Sequence, residues 1–145
     1  MRGGAVKLDC NSKRDLDKIY DYARRRAPVS NTFGVLNAKL VMFHVLYRLW
    51  DNVYEIPELG CVVFLGRDNG RLKIFDILGE RIPSLDELYP YIALDSDRFI
   101  ELHFHGDRLG LDESVRLSRP LLGNNCFVRG RFPVDRPVFP YTSRA

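Results

Sequence analysis

The sequence predicts one compact α/β domain spanning residues 1–145, and three observations point there. Hydrophobic residues make up 46% of the chain and charged residues 28%, the balance of a globular protein rather than a disordered one. Apolar residues recur at helical spacing in the first third and then change to strand patterns. A length of 145 residues buries a core without disulfide or metal staples, and no stretch has the composition of a linker.

Residues 5–10 alternate, with Val6 and Leu8 on one side, as a short strand does. Asn11 and Ser12 offer an N-cap, and Asp15 stands in for the capping-box acid. Leu16, Ile19, Tyr20 and Ala23 then fall at i, i+3, i+4 and i+7, one stripe of a helix. That helix closes on Arg24, Arg25 and Arg26, where positive charge suits the negative end of the dipole, and Pro28 stops it. After a loop over 29–36, a second helix is predicted over 37–50. It is apolar on nearly every side, with His44, Arg48 and Asp51 as its polar stripe, so it calls for burial on most sides or for a covering partner.

Strands follow. Residues 53–56 form one, and 61–65, wholly apolar, read as a central one. Asn69-Gly70 marks a tight hairpin turn, with a return strand over 71–78 whose Leu72, Ile74 and Phe75 are core or cross-strand contacts. After a loop over 79–83, Ser84 caps a third helix. Asp86 and Glu87 lie in its first turn, Leu85, Leu88 and Ile92 on its apolar side, and Pro90 shortens or kinks it. Residues 98–105 alternate, with Ile100, Leu102 and Phe104 opposite Phe99, Glu101, His103 and His105. Short strands at 115–118 and 126–132, and an extended Phe139-Pro140-Tyr141, are expected to complete the domain.

Charge and cysteine usage exclude several classes. The net charge is +3, with −1 over residues 1–107 and +4 over 108–145, where seven arginines face three acids. Such an end attracts anions, but its scattered charge and a pI of 8.8 predict a solvated surface over a nucleic-acid-binding one. Cys10, Cys61 and Cys126 are far apart and odd in number, which predicts reduced thiols in a cytoplasmic protein. The opening residues lack the apolar stretch of a signal peptide, and the longest apolar run, 40–49, is too short for a membrane. HExxH, GxGxxG, the Walker lysine loop, GxSxG and the EF-hand loop are all missing from the sequence.

Individual candidates weigh lightly. His103 and His105 share a strand face with Glu101 and could converge on a metal or act as acid–base groups, but only two histidines share the strand and no third ligand has a fixed spacing to them, so a solvated or partner-facing strand is the better reading. His44 reads as a core histidine and Cys61 as a buried thiol. Glu55 and Glu58 flank Pro57, where a general base could sit, though the same residues suit a plain turn. Tyr141 is better read as a packed aromatic than as an acid.

The order strand, helix, helix, three strands, helix, strand and two further strands resembles the GNAT superfamily of acyl-CoA-dependent N-acyltransferases over most of the chain. Val6-Lys7-Leu8-Asp9 with residues 13–20 is similar to its first strand and helix, and 53–64 to its second and third strands. Residues 33–44 and the ending Phe139-Pro140-Tyr141-Thr142-Ser143-Arg144-Ala145 resemble bacterial GNAT-like sequences. The resemblance implies a mixed, mostly antiparallel central sheet flanked by helices, acetyl-CoA or another acyl-CoA as cofactor, a small amine as acceptor, and no metal.

It also places the CoA diphosphate on the turn after the fourth strand, where the family's (Gln/Arg)-x-x-Gly-x-(Gly/Ala) amides and the next helix N-terminus hold it. Gly79, Arg81 and Ser84 are the candidate cofactor residues on that basis. The turn departs from the pattern. It has one glycine, Glu80 where phosphate would approach, and Pro83 without an N–H. The family's fourth helix is also short or missing over 106–117. Two readings result. One is an N-acyltransferase with an altered loop, alone or beside another domain. The other is an interaction or scaffold domain that kept the fold and lost the cofactor site, its helix 37–50 meeting a second copy or a partner domain. Nucleic-acid binding by the arginine-rich end ranks last.

Overall fold

The computed structural model describes residues 4–31, 36–104 and 106–110. In chain order these form β1 (Val6–Lys7), α1 (Lys13–Arg25), α2 (Ala38–Tyr47), β2 (Val53–Ile56), β3 (Cys61–Asp68), β4 (Arg71–Gly79), α3 (Leu85–Ile92) and β5 (Phe99–Leu102). Single 3-10 turns lie at Pro57–Leu59 and Asp107–Leu109. Among the described residues the fold is α+β: one mixed five-stranded sheet in the order β1-β2-β3-β4-β5, with three helices. His105, Cys126, Tyr141 and the strands expected at 115–118 and 126–132 lie outside the described residues.

Local chemistry explains the first four strands, which are all antiparallel. Asn69 (φ 49°) and Gly70 (φ 74°) both take the left-handed backbone that a two-residue hairpin turn of matching twist requires. They join the two longest strands as the sequence predicts. A parallel neighbour needs a crossover, and α3 supplies it, so β5 lies parallel to β4 from Arg71↔Phe99 to Ile74↔Leu102.

The sheet is covered on both faces. On one, Leu8, Val53, Val62, Phe64 and Leu78 pack against Ile19 and Ala23 of α1 and Val41 and Val45 of α2. On the other, Val63, Leu65, Leu72, Ile74 and Ile77 meet Leu88 and Ile92 of α3. The register of β3 on β4 slips between Phe64↔Asp76 and Leu65↔Ile74, leaving Phe75 as an extra residue in β4. This bulge reverses the alternation downstream. Asp76 therefore sits opposite Phe64 on the α1 side instead of following Leu72 and Ile74 into the α3 side.

Three expectations are corrected. The first strand is two residues long, because the chain turns at Cys10 and only the Leu8 N–H still bonds Val53 O, at 2.9 Å. The strand expected over 98–105 is ordered as β5 over four residues, though Phe104 beyond it is buried. The helix expected over 37–50 ends at Tyr47 and is buried on one side only. Its Val41, His44 and Val45 are buried, while Phe43, Leu46 and Tyr47 are exposed. A helix in an outer layer over a sheet has a single inward side, and the ring of apolar residues cannot say which side that is. His44, expected in the polar stripe, lies on the buried side, in keeping with the core reading. Among the described residues no helix is long and apolar enough to cross a membrane.

Candidate functional site

The turn after β4 runs from Gly79 to Ser84 and leads into α3. Ser84 is the N-cap of α3: its Oγ accepts the Glu87 N–H at 3.3 Å, and the Glu87 carboxylate accepts the Ser84 N–H at 2.8 Å. This reciprocal capping box satisfies the end of the helix where an anion would otherwise dock. Arg81 extends over the same carboxylate, its two terminal nitrogens at 3.0 and 3.1 Å from Glu87. The Arg81 guanidinium, then the Ser84 amide, hold the Glu87 carboxyl down to about 2. Glu80 is drawn away to Arg25, at 2.9 Å. At Gly79 a Cβ would come within 3.0 Å of Arg81 O and 3.2 Å of Gly60 O. The bare side of this glycine is turned against the chain's own backbone. The turn thus carries its own anion, Glu87, with its own cation, Arg81.

Beside the turn, β4 has a second occupied surface. Beyond Ile74, where His103 N–H bonds Ile74 O at 3.0 Å, the parallel pairing with β5 ends. Residues 26–31 take over along β4. Ala27 N–H donates to Gly79 O at 2.7 Å, and Arg26 Nη2 donates to Ile77 O at 3.2 Å. The Arg26 guanidinium also grips Asp76 through two parallel bonds of 2.7 and 2.8 Å. Both side chains are almost wholly buried, at 2% and 0% exposure, and the fork geometry is the one that suits a desolvated pair. Asp76 further accepts the Ile77 N–H at 2.8 Å.

From there the segment crosses the plane of the sheet. Ala23 belongs to the core on the α1 side, whereas Val29, fully buried, belongs to the core on the α3 side with Phe104 and Leu109. Its far end is tied down as well: Asp107 accepts the Ser30 hydroxyl and the Asn31 N–H, and Arg108 donates to Pro28 O at 2.7 Å. Residues 26–31 therefore bridge the second half of β4 to the turn that follows β5.

The remaining candidates are engaged elsewhere. Glu55 is 8% exposed and accepts from Lys18 Nζ at 2.9 Å and from the Tyr22 hydroxyl at 3.1 Å. Burial first, and then this carboxylate, push the Tyr22 hydroxyl up to about 12. Glu58 lies beside Gly4 and Tyr91, so the two glutamates do not converge. Glu101 bonds His103 at 2.9 Å and Arg71 at 3.1 Å, and the His103 ring rests 4.9 Å from Phe75. Burial pushes the Cys61 thiol up to about 12, which makes it a poor nucleophile. Among the described residues no group of three or more His, Cys, Asp or Glu could hold a metal. The chain matches no protein-family model, no curated protein and no solved structure.

Sequence reasoning missed the Arg26–Asp76 pair. The sequence signal was present: Asp76 is the lone acid in the apolar run Ile74-Phe75-Asp76-Ile77-Leu78, and a charge at that position needs a partner.

Proposed function

We propose that this chain is a non-catalytic interaction domain with a GNAT-like arrangement of elements, one in which the places for an acyl-CoA are filled by the protein itself. The element order, the four antiparallel strands and the parallel fifth support the likeness. One observation carries the loss of the cofactor site. The N-terminus of α3 is capped by Glu87, and the second half of β4 is lined by Arg26 and Ala27. An entering diphosphate would have to displace a carboxylate that already accepts the Ser84 amide and neutralises Arg81. Titration of the full chain with acetyl-CoA by calorimetry is expected to give no binding heat at millimolar ligand. Saturable binding at that concentration overturns the reading.

A second reading, an N-acyltransferase acting on an amine, is favoured by one feature: β4 and β5 pair only as far as Ile74 and Leu102 and part beyond them, where an acyl-CoA would lie. On that reading residues 26–31 leave β4 when the cofactor enters, and the same titration returns binding.

A further inference from the structure

We draw no further inference here: the strongest candidate, the exposed apolar patch that Phe43, Leu46 and Tyr47 form on the outer side of α2 with Trp50 just beyond the helix, carries none, because nothing in the structure shows what covers it.

Discussion

At the residue scale, the Arg26–Asp76 pair is the most consequential feature of the structure. Two desolvated charges are costly on their own and acceptable only with close geometry and full hydrogen bonding. Both conditions hold: the guanidinium forks onto the carboxylate, and the spare donor reaches Ile77 O. Replacing Arg26 by Met leaves Asp76 buried without its cation and is expected to cost about 3–5 kcal/mol in urea unfolding. The double variant Arg26→Met with Asp76→Leu should recover a large part of that loss. If the double variant is no more stable than the single one, the pair is not a coupled unit. In the sequence, Arg26 looked like the third arginine of a helix end. The helix stops at Arg25, and Arg26, in extended conformation at the C-cap, turns inward, a choice made by an acid fifty positions away.

At the scale of elements, hairpins and caps were legible because their demands are local. Asn69-Gly70 meets a backbone requirement with its own two residues, and Ser84 and Glu87 stand three apart on one helical turn. The cap has a consequence that can be measured. Glu87 is held at about 2, below its ordinary 4.5, so the folded state holds this proton less tightly than the unfolded chain does. Its contribution to stability is therefore complete above about pH 4.5 and is lost as the pH falls toward 2. Glu87→Gln should lower the thermal midpoint at neutral pH and flatten its decline in that acid window. The carboxylate is open to solvent, so the difference should shrink in high salt. The buried side of α2 was not legible. Phe43, Leu46 and Tyr47 are as apolar as Val41 and Val45, and only the position of α1 and the sheet decides which of them face inward.

At the scale of the whole molecule, residues 26–31 decide between the two functional readings. They tie the α1 side of the sheet to the α3 side, with Val29 in the second core and bonds to β4 at one end and Asp107 at the other. If they are an integral part of the fold, the Ala27 amide, bonded to Gly79 O, should exchange its hydrogen as slowly as the central amides of β3, through global unfolding. Native-state hydrogen exchange checks this. Exchange of Ala27 through a much smaller local opening would mark a segment that leaves β4, and would favour the acyl-CoA reading.

The sequence by itself determined the mixed α and β character, the order of the described elements, the hairpin, the capped third helix and the buried character of His44 and Cys61. Each of these is set by composition, by periodicity or by residues a few positions apart. Only the tertiary structure decided that β5 runs parallel to β4, that a bulge at Phe75 turns Asp76 toward Arg26, and that the chain fills its own β4 edge. These depend on contacts between residues tens of positions apart, whose energies are collected only when the sheet and its two layers of helices come together.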